Sequence, residues 1–265
     1  WVEALRPERR AVDVLRPNAA FVEEERSPSG ELVSVATLLL VSRECPWRCV
    51  MCDLWKGTVA APLPRGAIPA QIASGLADLP PARHLKLYNS GSFFDRSAVP
   101  EEDLPAIVAE LSGFERVVVE CHPALVAPNA SAFRDLLGGT ALEVAMGLET
   151  VEERVLAKLN KGMTLDSYSR AARSLRGSGI DTRAFVLVQP PLSRVEEAVS
   201  WAVRSAEFAF DEGASAVSLI PTRDGNGAME ALAHAGGFVK PTLATLEAAV
   251  RPEARRAGKA CRSRW

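Results

Sequence analysis

Short runs of apolar, β-branched residues recur along the chain, and the stretches between them carry a different rhythm. After a mixed N-terminal segment, residues 21–25 and 31–41 form two β-like runs separated by RSPSG, a turn signal that predicts a hairpin. Further runs fall at residues 85–88, 116–120, 142–146, 182–188 and 216–220. The intervening stretches carry helical patterns: Val195, Val199, Ala202, Val203, Ala206 and Phe210 make one stripe suited to packing on a sheet. Thr150 with Glu153 and Ser193 with Glu196 have capping-box spacing, and Gly162 and Gly213 sit where helices should stop. Strands alternating with helices imply a parallel sheet covered on both faces. The expected fold is α/β, a partial (βα)6 barrel of parallel strands with a short N-terminal β-hairpin extension. Its expected division is 1–30 for the extension, 31–235 for the core, and 236–265 for a C-terminal helix and tail.

Composition changes this picture little. The 265 residues are 48% apolar and 24% charged, enough to bury a full core. A net charge of −2 gives no general attraction for polyanions. No run reaches the roughly 18 apolar residues that would span a bilayer, so no membrane partner is expected. The opening WVEALRPERR has no apolar stretch of signal-peptide type, and a cytoplasmic location is the expectation.

The candidate chemistry lies in SRECPWRCVMCDLW, which puts Cys45, Cys49 and Cys52 directly after the first core strand. Loops at that edge of a βα sheet carry the functional groups of such folds. A reducing compartment and the tight spacing argue against disulfides. Three thiolates in a short loop can hold a cubic iron–sulfur cluster and leave one metal corner open. Zinc stays open as an alternative, with His84 or His122 as a fourth ligand. Cys121, beside Glu120 at the end of a strand, either faces the core or serves as a hydrogen-atom donor, and Cys261 stands alone in the tail.

Motif and fold context together resemble the radical S-adenosylmethionine (SAM) superfamily. The resemblance implies that Cys45, Cys49 and Cys52 bind a 4Fe-4S cluster whose open iron takes SAM. Reduction by a flavodoxin- or ferredoxin-type protein would then yield a 5′-deoxyadenosyl radical. It also implies cofactor contacts from Met51 against the adenine and from Asn89, Ser90, Gly91 and Ser92 toward the methionine amino group. Glu149 would meet the ribose hydroxyls or the methionine moiety, and Lys161 the carboxylate. Gln189 would reach the ribose, while Ile220 and Pro221 would hold the adenine. The phrases MGLETVEERVLAKLNKGMTLDSY, DTRAFVLVQPP and SLIPTRDGNGAMEAL resemble, more narrowly, the archaeosine synthase radical subunit group and the radical domain of the elongator acetyltransferase subunit. That likeness implies a modified base in tRNA as substrate. A small molecule or peptide, or a non-catalytic iron–sulfur role, are the alternatives.

Overall fold

The computed structural model describes residues 1–27, 29–255 and 260–263. Its elements run β1 (Ala19–Arg26), β2 (Leu32–Leu39), α1 (Ala67–Ala77), β3 (His84–Tyr88), α2 (Leu104–Glu110), β4 (Arg116–Glu120), α3 (Asn129–Leu137) and β5 (Ala141–Glu149). They continue with α4 (Glu153–Leu156), α5 (Leu165–Gly177), β6 (Asp181–Val188), α6 (Ala198–Asp211), β7 (Ala216–Pro221), α7 (Ala228–His234), α8 (Leu243–Arg255) and β8 (Ala260–Ser263). All strands form one sheet in chain order. β1 pairs antiparallel with β2, and every later pair is parallel. The six predicted core strands are β2 to β7. β8 is a seventh parallel strand that the tail ACRS did not announce, and of Cys261 only this place in β8 is described.

Alternation of side chains divides the sheet into two faces. Leu85, Leu87, Val117, Val119, Val144, Met146, Val186 and Leu219 point to the helices and form the main core. The concave face holds Tyr88, Val118 and Ala145 against Leu39 and Phe185, with Tyr88 and Phe185 edge to face at 5.9 Å. Below this layer lies a buried ionic floor. Lys86 bonds Glu23 at 2.8 Å and also Glu25. Arg183 donates to Glu143 at 2.6 Å and to Glu25 at 3.2 Å. Glu25 on β1 can meet Arg183 on β6 only because the sheet curls into a half-barrel, and the pairing closes the lumen at that level.

Local chemistry departs from expectation at several helix ends. Thr150 does not cap with Glu153; its hydroxyl accepts from the Glu152 N–H at 3.1 Å. Ser193 donates to the Pro190 carbonyl and caps nothing, and Val195 is exposed, because α6 begins only at Ala198. The face α6 buries is instead Ala198, Ala202, Ser205, Ala206, Ala209 and Phe210. A capping box does form at Thr164 and Ser167 before α5. Gly213 follows α6 with φ +97°, as a stop residue should. No helix among the described residues is long and apolar enough to cross a membrane.

Candidate active site at the C-terminal edge of the sheet

The cysteine loop leaves β2 through Val41, whose backbone is fixed by buried Gln71: the amide oxygen accepts from Val41 N at 2.7 Å and the amide nitrogen donates to Val41 O at 2.9 Å. The loop then closes on itself where Glu44 N donates to Val59 O and Val59 N to Ser42 O. Cys45, Cys49 and Cys52 are free thiols, each half-buried. Burial pushes the Cys45 and Cys49 thiols up to about 11 and Cys52 to about 12, and repulsion among the thiolates adds to it. The Lys161 ammonium pulls all three the other way. The thiols are therefore protonated at neutral pH when no metal is bound, and ligation has to expel three protons.

Three supports hold this loop. An N-terminal strap meets it at Glu44, which accepts from Arg6 at 2.7 Å, from Arg9, and pairs with Arg48 at 3.3 Å. The Arg6 guanidinium also lies over the Trp55 ring at 4.6 Å. A depression of about 420 Å³ opens on this side, lined by Arg9, Arg43 and Arg48, of which Arg9 pairs with Glu44 and Arg48 with Glu3 and Glu44. The second support is the segment after α4. Val50 N donates to Leu159 O at 2.9 Å and the Asn160 amide to Arg48 O at 2.8 Å. Trp47 stacks on His122 with ring centroids 3.5 Å apart, and it crowds Gly162 so closely that a Cβ there would come within 2.9 Å of the indole nitrogen. The third support is Asn226, after β7, whose amide donates to the carbonyls of Val50 and Cys52.

The strand ends gather the other candidates. Lys161 Nζ sits 2.8 Å from Glu149 Oε1, and both residues are buried. Burial alone would lower the lysine, but Glu149 and the neighbouring thiolates outweigh it and raise it, so it is a cation. The pair rests on Gly147, where a Cβ would meet Glu149 Oε1 at 2.2 Å and Lys161 Nζ at 2.6 Å. Asn89 is fully buried and its side-chain oxygen has no hydrogen-bond partner. Its carbonyl accepts from Ser42, which ties β3's end to the cysteine loop. Gly91 would place a Cβ in ordinary contact with Cys45, and the Ser92 hydroxyl accepts from His122 N at 2.9 Å. Met51, Ile220 and Pro221 are half-buried at the same edge. Gln189 donates its amide to the Val239 carbonyl, the work of a loop organiser.

Ser90, Glu149 and Gln189 have φ of +57°, +65° and +59°, a left-handed backbone that side chains other than glycine seldom adopt. They close β3, β5 and β6 in turn, and at β5 the register slips between Gly147 and Glu149. Strained backbone of this kind persists where the surrounding structure over-determines it, which is common at ligand sites.

The zinc alternative loses its fourth ligand. His84 opens β3, at the opposite end of the strand from the cysteines. His122 has one ring nitrogen 3.0 Å from Lys161 O, and the other accepts from Ala124 N. Among the described residues no three His, Cys, Asp or Glu side chains are grouped to hold one metal ion. A cubic cluster asks for something else, three thiolates on three different irons. Cys121 faces the helix layer and packs in the main core, away from the concave face, so it is not placed to donate a hydrogen atom there. Of the residues that hold the loop, Glu44, Trp47 and Asn226 had no cofactor signal of their own in the sequence, and His122 stood there only as a possible zinc ligand. For Asn226 the one hint was the turn dipeptide Asn226-Gly227.

No family model matches the chain. In sequence it is similar to archaeosine synthase subunit beta of Methanosarcina acetivorans, 27% identical over 192 residues, covering 68% of this chain and 56% of that protein. It is also similar to archaeosine synthase subunit beta of Thermococcus kodakarensis, 29% identical over 111 residues, covering 40% of this chain and 34% of that protein. The chain thus spans from about a third to just over half the length of these relatives. In fold it is similar to the queuine lyase from Clostridium spiroforme bound to SAM and queuine, with TM-score 0.62 and 15% identity over 92% of this chain and 95% of that one. Elp3 of Methanocaldococcus infernus follows the same fold, with TM-score 0.54 and 13% identity over 69% of this chain and 47% of that one. Taken together in sequence and fold, the chain resembles the radical S-adenosylmethionine superfamily and, within it, the group of archaeosine synthase subunit beta and Elp3.

Proposed function

We propose that the chain is a radical SAM enzyme in which Cys45, Cys49 and Cys52 hold a 4Fe-4S cluster. The observation that carries this reading is the placement of three free thiols and the Lys161–Glu149 pair in one site at the C-terminal edge of a curled parallel sheet. When bound, the cluster and SAM supply reductive cleavage of a sulfonium bond and a 5′-deoxyadenosyl radical for hydrogen abstraction. The chain's own work is positioning and charge. Lys161 provides a buried cation for a carboxylate, and Glu149 an acceptor for hydroxyl or ammonium groups. The unpartnered Asn89 oxygen accepts one further donor. Ser90, Gly91 and Ser92 bring backbone to the same place, with Met51, Ile220 and Pro221 as soft apolar contacts for a ring. Gln189 shapes the loop beside them. The electron comes from a flavodoxin- or ferredoxin-type protein in the cytoplasm.

For substrate we favour a modified base in tRNA, supported by the two archaeosine synthase subunits among the relatives. A free small molecule is the second reading, favoured by the match over nearly the full length of both chains to an enzyme that holds queuine. Anaerobic reconstitution with iron and sulfide, followed by dithionite and SAM, tests the chemistry. The expected product is 5′-deoxyadenosine, and a reconstituted cluster that never cleaves SAM with either dithionite or a protein reductant would sink the enzyme reading. Binding of tRNA separates the substrates, because phosphate contacts weaken steeply as salt rises. No salt-sensitive binding to tRNA would leave the small molecule.

A further inference from the structure

We propose that Asn226 is a positioning residue for the cysteine loop, acting through the carbonyls of Val50 and Cys52. The inference rests on the reading of the three cysteines as cluster ligands and adds to it a residue from the opposite side of the site. Asn226 is only 2% exposed. Its Nδ2 donates to Val50 O at 2.8 Å and to Cys52 O at 3.1 Å, and its Oδ1 accepts from Met229 N at 2.8 Å. The Met229 N–H can only donate, so it fixes which end of the amide faces the loop. Both amide hydrogens are then used on the segment that carries the third thiol. Trp55 Nε1 donates to the same Cys52 carbonyl at 3.1 Å, which leaves that peptide little freedom.

The turn that presents Asn226 is itself built in advance. Gly225 and Gly227 flank it with φ of +107° and +86°, and Gly227 N donates to Glu230 at 2.7 Å. Lys56, just past the cysteine loop, donates back to Gly225 O. Val50 packs with Met229 and Phe238, so the polar clamp sits beside an apolar one. Four residues separate Asn226 from Pro221 at the end of β7. The clamp therefore sets the loop against a strand end that the proposed cofactor also touches, and a supporting shell of this sort decides whether a site is held tightly enough to work.

Asn226→Asp keeps the shape but turns two donors into an acceptor facing two carbonyls, and Asn226→Ala removes the clamp without adding charge. Both are compared with the wild type in two arms. In the iron-free protein, alkylation of Cys52 should quicken about tenfold while Cys121 labels at the wild-type rate. In the reconstituted protein, a chelator should remove iron about tenfold faster, and the change that SAM causes in the EPR spectrum of the reduced cluster should shrink or vanish. Wild-type labelling, iron retention and EPR response in either folded variant would overturn the proposal. So would labelling of Cys121 that rises in step with Cys52, because Asn226 would then support the fold at large. The first arm needs no iron, so wild-type protein that takes up no cluster defeats the cluster reading and leaves the labelling result to decide on Asn226.

Discussion

Trp47 and His122 lie face to face, ring centroids 3.5 Å apart and planes within 12°, and this contact joins the cysteine loop to the end of β4. Burial, aided by the Lys161 charge, lowers His122 to about 4. An unfolded histidine titrates near about 6.5, so between these values the unfolded chain binds more protons than the folded one. Stability from the neutral ring is complete above about 6.5 and drains away as pH falls toward 4. His84 is also lowered, by burial and Arg116, so the wild type carries two such contributions. Urea midpoints at pH 7.5 and 5 should drop further for the wild type than for His122→Asn. Equal drops would mean that the ring is not held neutral.

Gly147 should not tolerate a methyl group. Its Cβ would overlap both partners of the Lys161–Glu149 pair, so the two side chains would have to leave their present positions to admit it. Gly147→Ala is expected to weaken SAM binding to the reconstituted protein at least tenfold, about 1.4 kcal/mol. Equilibrium binding checks this, and wild-type affinity would show the pair to be irrelevant to the cofactor.

The same pair predicts a non-additive cycle. Lys161→Met leaves Glu149 buried without its cation and should cost roughly 3 kcal/mol in urea denaturation. Adding Glu149→Gln should restore most of the loss, because the charge goes with its partner. A double variant as unstable as the sum of the two singles would refute the coupling.

The three proposed ligands and the core thiol should behave differently. Cys49→Ala should lose the visible absorption of a 4Fe-4S cluster after reconstitution, while Cys121→Ala should keep it. Cys121, with its thiol pushed up to about 12 by burial, packs on the helix side of the sheet in the main core. Iron and sulfide analysis decides both.

The rhythm of apolar runs was enough to find β2 to β7, because each is a continuous buried strand of the kind that parallel sheets require. The same rhythm says nothing of β8, where ACRS has no alternation and gains its place only by pairing with β7. Capping motifs misled at Thr150 because its hydroxyl is used two residues on, a local competition that spacing does not reveal. The cysteine loop was legible because its spacing is local in sequence, and the structure keeps its three thiols free in that loop. Asn226 was not, since its partners lie 174 and 176 residues away and an asparagine beside glycine reads first as a turn. His122, read from the sequence as a possible zinc ligand, instead stacks on Trp47 and accepts from the Ala124 N–H, which makes it a support of the loop.

The ionic floor carries a consequence for how the molecule is made. Glu25 waits on Arg183, which is synthesised 158 residues later. At about 5–20 residues per second that is an interval of roughly 8–32 s. Throughout it, the hairpin's acidic strand has Lys86 as a partner but nothing to close the lumen against. The bowl that would shelter radical chemistry from water is thus finished late in synthesis, and iron offered before then would meet the cysteine loop without its floor or its β7 clamp.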